Sequence, residues 1–246
     1  MRYVGAATPR APGDTVRVLD RGCGRGRLVG VLQNRGMDAY GVDVDAETLT
    51  NGQVYFETAA PSAETKLRQL DAAGRAPFPD GFFDVVVSDN ALEHVADLDT
   101  VMAEIARLTR PGGRGFHLFP ARFTFREGHL MMPFVHWLPK GVLRRGAIGM
   151  FTRIGVEPRW EELSDLSVSE KAKTYFAYSH DKTFYRAPSR ILAVCSDNGL
   201  TARLVGTDHP RAPRLCRIPG LRNVAEAWIA NLKAVELFLQ KPDRAR

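Results

Sequence analysis

The stretch VRVLDRGCGRGRL, residues 16–28, constrains this chain more than any other. A short apolar run, Val16–Leu19, leads through Asp20 into Gly22, Gly24 and Gly26, and the periodic apolar residues Leu28, Val29, Val31 and Leu32 predict a helix over Gly26–Arg35. Glycines let a chain turn sharply between strand and helix and let a ligand approach where a Cβ would block it. The helix start offers free amide donors to an anionic group. The spacing is G-x-G-x-G, with Arg27 where a dinucleotide fingerprint needs its third glycine.

The alternation continues beyond the turn. Strands are predicted at Ala39–Val42, Lys66–Leu70, Phe82–Val87 and Gly115–Phe119, and helices at Asp45–Phe56, weakened by Gly52, and Leu98–Thr109. Arg110-Pro111-Gly112-Gly113 is expected to end the second of these helices, with Arg110 at its C-terminal dipole. Such alternation gives a Rossmann-like, doubly wound α/β fold with a mostly parallel sheet covered on both faces. Residues 120–187 are irregular and rich in aromatics and Arg, and are expected to form an inserted substrate cap with short helices. Residues 188–246 then complete the sheet, with a helix over Pro188–Asn198, a strand over Leu200–Gly206, a helix over Leu221–Asn231 and a last strand at Ala234–Gln240. With residues 1–119 as the first part, the chain reads as one seven-stranded domain with a cap.

Composition excludes several classes. The chain has 246 residues, 44% hydrophobic and 25% charged, as in ordinary globular proteins. No apolar run reaches the ~20 residues of a membrane span, and residues 1–14 lack the apolar core of a secretory signal. Cys23, Cys195 and Cys216 form no metal-binding or disulfide pattern, so a cytoplasmic protein without a metal is expected. The net charge of +6 is spread along the chain rather than gathered into a nucleic-acid arm.

Acidic or amide side chains stand at four successive strand ends: Asp20, Asp43, Asp71, then Asp89 with Asn90. Each alone could be a helix cap; together they line the crevice at the carboxyl ends of the strands, and Asp43 is placed to accept from ribose hydroxyls. The ordered set VLDRGCGRG, GVDVDAETL and DAAGRAPFPDGFFDVVVSDNALEHVADLDTVMAEIARLTRPGG resembles the motifs of class I S-adenosylmethionine-dependent methyltransferases, the small-molecule (type 11-like) branch, over residues 16–119. AVELFLQKP resembles that branch's usual ending.

The resemblance implies S-adenosylmethionine as cofactor, S-adenosylhomocysteine as product, and methyl transfer by in-line displacement. It places Gly22, Cys23, Gly24 and Gly26 at the methionine end with Asp20 near the amino group, although Cys23 is most simply a small packed residue. It places Asp43 on the ribose, Val44 on the adenine, Asp71 and the Ala72 amide on the adenine edge, and Asp89 and Asn90 beside the sulfonium. Relatives usually carry more chain before the first strand, so a lid is expected from residues 120–187 or from a second subunit of a homodimer.

A hydroxyl acceptor profits from a general base, worth roughly 10²–10⁴-fold. His94, in ALEHV, follows the fourth strand, and catalytic and structural roles weigh evenly there. His129 and His136 lie in EGHLMMPFVHWLPK, which resembles a segment of some methyltransferases of glycan or glycolipid modification. His129 is favoured over His136, which sits beside Trp137 and Leu138; His180 and Tyr185 are weaker candidates, and Trp160 and Trp228 are expected in the core. WLPKGVLRRG is basic and amphipathic, and packing onto the sheet edge is preferred over contact with a membrane surface. The expected activity is O-methylation of a small-molecule or sugar-containing acceptor. The alternatives are N-methylation of a small amine and a non-catalytic partner subunit of the same fold. Nucleic acid is not an expected partner, because SDNA replaces an N-P-P-Y motif, and a nicotinamide oxidoreductase fails on the glycine spacing.

Overall fold

The computed structural model describes residues 14–59, 66–204 and 234–243. The helix expected at Leu221–Asn231, together with His209, Cys216 and Trp228, lies outside them. The first half alternates as the patterning dictates: β1 (Arg17–Arg21), α1 (Arg27–Gln33), β2 (Asp38–Asp43), α2 (Ala46–Ala59), β3 (Leu67–Gln69), β4 (Phe83–Asp89), α3 (Leu98–Leu108) and β5 (Thr109–Pro120). The cap contributes α4 (Val142–Arg153) and α5 (Val168–Asp181), and the chain returns through α6 (Pro188–Asp197), β6 (Thr201–Leu204) and β7 (Ala234–Gln240).

The seven strands run in the order β3-β2-β1-β4-β5-β7-β6, parallel except that β7 is antiparallel to both neighbours. β1 therefore lies between β2 and β4, and the winding reverses there, which opens a crevice at the carboxyl ends of the strands. One core layer, with Leu19, Val86, Met102, Ile105 and Leu237, packs α3 and α6 on the sheet; the other, with Val18, Val29, Leu32, Phe56 and Val85, packs α1 and α2.

Two local expectations are corrected. Arg110-Pro111-Gly112-Gly113 does not separate helix from strand: α3 stops at Leu108 and β5 begins at once. The register against β4 jumps from Phe83–Thr109 to Val85–Arg114, so Pro111 sits in a bulge where its missing N–H costs the sheet nothing. Gly112 and Gly113 turn to Lys241 instead (Gly112 N–H to the Lys241 carbonyl, 3.0 Å). Arg110 forms an ion pair with buried Asp84 at 2.6 Å rather than capping the helix. Gly52 does not weaken α2: a Cβ there would lie 2.7 Å from the Arg25 carbonyl oxygen, so glycine allows the helix to pack under the Gly-rich turn.

The cap holds its own core of Leu130, Met132, Val135, Ile148 and Tyr175, built from two full helices rather than short ones. α4 packs on α5 and not on the sheet edge, leaving Val142 and Leu143 exposed. Trp160 joins this core, edge-on to Tyr175 and Tyr178, as expected. No helix among the described residues is long and apolar enough to cross a membrane.

Candidate active site

The crevice is a cleft of about 570 Å³. Gly22, Asp43, Val44, Asp71, Ala72 and Asn90 line it, all expected at a cofactor, and so does His94 at its far end. Gly22 has φ +79, and a Cβ would fall 2.5 Å from that of Ala91, so only glycine lets the turn pass under the loop after β4. A Cβ at Gly24 meets only Thr48 at 3.9 Å, so the space beside that bare main chain is open.

Asp43 accepts from the Gly24 amide at 2.8 Å and the Asp45 amide at 3.1 Å, fixing the turn to the end of β2. Capping of α2 falls to Asp45, which accepts from the Glu47 amide and the Thr48 hydroxyl. Asp71 closes its own turn through Oδ1, accepting from the Ala73 and Arg75 amides. Asn90 has φ +51 and donates from its side chain to Asp89 at 2.9 Å, a left-handed residue held at the cleft wall.

Asp20 lies beneath, 3% exposed. Burial, then the charges of Asp89 and Asp43, push its carboxyl up to about 7. No side-chain hydrogen bond reaches its carboxyl among the described residues, so nothing there offsets the cost of its burial. Cys23 and Gly26 turn elsewhere. Cys23 packs on Gly41, and a Cβ at Gly26 would strike Phe56 and Leu67 at 2.8 Å; both serve the close fit of turn to core. Arg21 also lines the cleft and donates to the Gly74 carbonyl at 3.2 Å, supporting the loop after β3.

The histidines separate into two groups. His94 and His129 meet edge to face, ring centroids 4.8 Å apart, with Tyr178 of α5 beside His129 at 5.6 Å. His94 Nδ1 lies 2.6 Å from the Lys182 carbonyl, which only accepts, so Nδ1 carries the proton and Nε2 is left as an acceptor. His129 sits at the tip of a hairpin whose arms bridge at Arg126 and Pro133. Glu127, fully buried at its base, accepts from the His129 amide (2.8 Å), His129 Nδ1 (2.9 Å), the Leu130 amide and the Tyr185 hydroxyl. Burial alone would raise its pKa, but those bonds hold it below the ordinary value, and it in turn raises that of His129.

His136 is not part of this pair. It is buried against Tyr185 at 5.0 Å, and burial drives its pKa down to about 4, so it is a neutral packing group. His180 pairs with its neighbour Asp181 on the surface. His117 is buried on Ser88 at 2.8 Å with its pKa driven to about 3 by burial.

The segment that carries Lys182 and Tyr185 straps the cap to the cleft. The Phe184 amide donates to the Glu93 carbonyl at 2.6 Å, and Arg186 donates to the carbonyls of Val95 (2.5 Å) and Ala96 (2.7 Å). Sequence reasoning missed Glu93, Glu127 and Tyr178. The available signal was a Glu one position before His94 and two before His129.

The strand order and the cleft at the strand ends are those of a seven-stranded, Rossmann-like fold, the fold seen in S-adenosylmethionine-dependent methyltransferases of known structure. A family model described as a methyltransferase domain matches residues 19–116. An uncharacterized methyltransferase of Mycobacterium sp. (strain JLS) is 38% identical over 109 residues, 44% of this chain and 40% of that protein. A ubiquinone biosynthesis O-methyltransferase of Methylococcus capsulatus is 35% identical over 100 residues, 41% of each. The chain thus spans about two fifths of the length of these relatives. The crystal structure of an S-adenosylmethionine-dependent methyltransferase from Mesorhizobium loti superposes with a TM-score of 0.57 at 14% identity, covering 97% of this chain and 96% of that one. At that identity the likeness is one of fold.

Proposed function

We propose that this chain transfers a methyl group from S-adenosylmethionine to a hydroxyl oxygen of a small-molecule or sugar-containing acceptor. The carrying observation is the course of the cleft: from Asp43 and Val44, past Gly22 and Asn90, to His94, where His129 of the cap meets it. Asp43 would hold the ribose hydroxyls, Val44, Leu70 and Ala72 the adenine, and Asp20 the amino group, whose positive charge stabilises a carboxylate that burial otherwise keeps near neutrality. The cofactor supplies a methyl group already activated on a sulfonium, so the protein's work is alignment and exclusion of water.

The acceptor enters beneath the cap. The Nε2 atoms of His94 and His129 face it as proton acceptors, each ring fixed through its other nitrogen. An oxygen acceptor fits because a hydroxyl must lose a proton, and a pair of oriented imidazoles is what such an acceptor uses; a neutral amine needs none. The ubiquinone-pathway relatives named for O-methylation agree with this choice.

Calorimetry with S-adenosylmethionine tests the reading. Binding that Asp43→Ala abolishes is the expected result; no binding to the unaltered chain would refute it. With binding established, methyl transfer to a panel of hydroxylated and amino acceptors decides the atom.

A further inference from the structure

Glu127 and Glu93 are both buried carboxylates near the same two histidines, and they differ in one respect. Glu127 receives four hydrogen bonds. Glu93 receives none from any other described residue: its side chain is fully buried, and neither carboxylate oxygen has a hydrogen-bond partner among the described residues. A buried carboxylate without a hydrogen bond is costly, and a bound ion is one of the few things that can complete it. Glu93 Oε1 lies 4.0 Å from His94 Nε2, and one ligand atom from each of Glu93, His94 and His129 falls within 4.8 Å of the other two.

The remaining ring nitrogens are also suggestive. His94 Nδ1 donates to a backbone carbonyl and His129 Nδ1 to a carboxylate. This is the outer arrangement that metal-bound histidines use to fix ring orientation and to leave Nε2 as the ligand. Two imidazoles and one carboxylate form a donor set that suits zinc and its transition-metal neighbours rather than magnesium, whose sites are built from oxygen.

We infer that Glu93, His94 and His129 form a binding site for one divalent transition-metal ion of the zinc class. Bonds of ~2.1 Å in a tetrahedral site set its ligand atoms roughly 3.4 Å apart, so the three are drawn inward as the ion binds. Glu93 and His94 share one turn after β4 while His129 arrives from the cap hairpin, so the ion ties cap to cleft. The ligands come from two segments 35 residues apart, with no short ligand spacing to announce them.

The ion's catalytic use rests on the acceptor reading above; its binding does not. Three protein ligands leave a position open at the cleft. An acceptor hydroxyl bound there loses its proton to solvent more readily, because the ion stabilises the alkoxide. The oxygen lone pair then forms the O–CH3 bond while the S–CH3 bond breaks, its electron pair staying on sulfur. The metal changes no oxidation state. In the ion-free protein the same two nitrogens accept the proton directly.

The test uses tag-free, chelator-stripped full chain titrated with zinc chloride against a competing chromophoric chelator. The expected result is one ion per chain, with affinity lowered at least 100-fold by Glu93→Gln and, separately, by His129→Gln. A cobalt-substituted sample should show visible d–d absorption that Glu93→Gln removes. Circular dichroism confirms that each variant folds, and two ligands on different segments guard against one that does not. Absence of stoichiometric binding overturns the inference, and so does binding that both variants retain. S-adenosylmethionine affinity of the stripped chain is measured alongside: its loss would refute the methyltransferase reading, and its retention without zinc binding would refute the metal site alone.

Discussion

Glu127 holds His129 at two points, its Oε2 accepting the backbone amide at 2.8 Å and its Oε1 the ring Nδ1 at 2.9 Å. Backbone and side chain of the histidine are thereby set by one buried carboxylate, itself completed by the Tyr185 hydroxyl and the Leu130 amide. The direction in which Nε2 points is decided by a residue that is itself fully buried.

Glu127→Gln should remove the charge and part of the ring's fix together. The amide keeps the size of the side chain but is neutral and offers one accepting oxygen in place of two, so the raised pKa of His129 falls toward its ordinary value. Raised means that the unaltered His129 stays protonated to higher pH, so as a base it gains activity only once pH exceeds that pKa. In the variant the rising limb of the pH–rate profile therefore moves to lower pH, and the maximal rate drops roughly 10- to 100-fold as the ring loses its fix. NMR titration of His129 together with the kinetic profile checks both. An unmoved titration would show that Glu127 only packs the hairpin.

If Asp20 holds the cofactor's amino group as proposed, binding should depend on pH. Its free-state pKa is about 7. An ammonium beside it favours the charged form, so binding expels a proton from any molecule still carrying one. Affinity is therefore fullest above pH 7 and weakens as pH falls below it, by up to ~10-fold per pH unit. The cofactor-free protein shows the opposite trend in stability. A carboxyl whose folded pKa is raised from 3.8 to about 7 contributes most below pH 3.8, and that contribution is lost as pH rises through 7. Asp20→Asn should flatten both curves, read by calorimetry from pH 5.5 to 8.5 and by Tm without ligand.

The first half of the chain was legible because its physics is local. A strand feeding a glycine turn, four polar strand ends and one amphipathic helix lie within residues 16–113, and each device is complete within a few positions. Misreadings arose where the partner is distant. Arg110 looked like a helix-end cation because Asp84 and Lys241, which decide its neighbourhood, come from β4 and from the segment after β7. Gly52 looked like a flaw because the Arg25 carbonyl that requires it belongs to another turn. His129 was identified as a candidate, but Glu93 and Glu127 were not: an acidic residue beside a histidine reads as surface until burial shows otherwise.

Gly22→Ala should fail for two separable reasons. The added Cβ would stand 2.5 Å from that of Ala91, and φ +79 is strained for any residue with a Cβ. Together these cost about 2–4 kcal/mol, from overpacking and from the left-handed backbone. Adding Ala91→Gly removes the collision but not the backbone strain, so the double variant should recover only part of the loss. Denaturant unfolding of both variants measures it, and S-adenosylmethionine affinity should follow the same order. Full recovery in the double variant would show that the backbone angle carries no cost.

Arg186→Ala tests whether the strap positions the acceptor. The guanidinium donates to the carbonyls of Val95, Ala96 and Phe184, joining the segment after α5 to the turn that bears Glu93 and His94. Its loss leaves the Gly-rich turn, Asp43 and the cleft lining at Val44, Leu70 and Ala72 untouched, so affinity for the proposed cofactor should stay within about 2-fold. The cap, however, loses several charge-assisted bonds, each worth roughly 1.5–3 kcal/mol where well buried and less at the half-exposed carbonyls. His94 and His129 then no longer hold their edge-to-face contact, and the acceptor meets a looser cavity. The expected pattern is a KM for acceptor raised about 10-fold with a smaller fall in kcat, while Arg186→Lys, which keeps the charge but not the planar fork, recovers part of it. A variant that weakened cofactor and acceptor equally would show that the strap stabilises the whole domain rather than the seating of the cap.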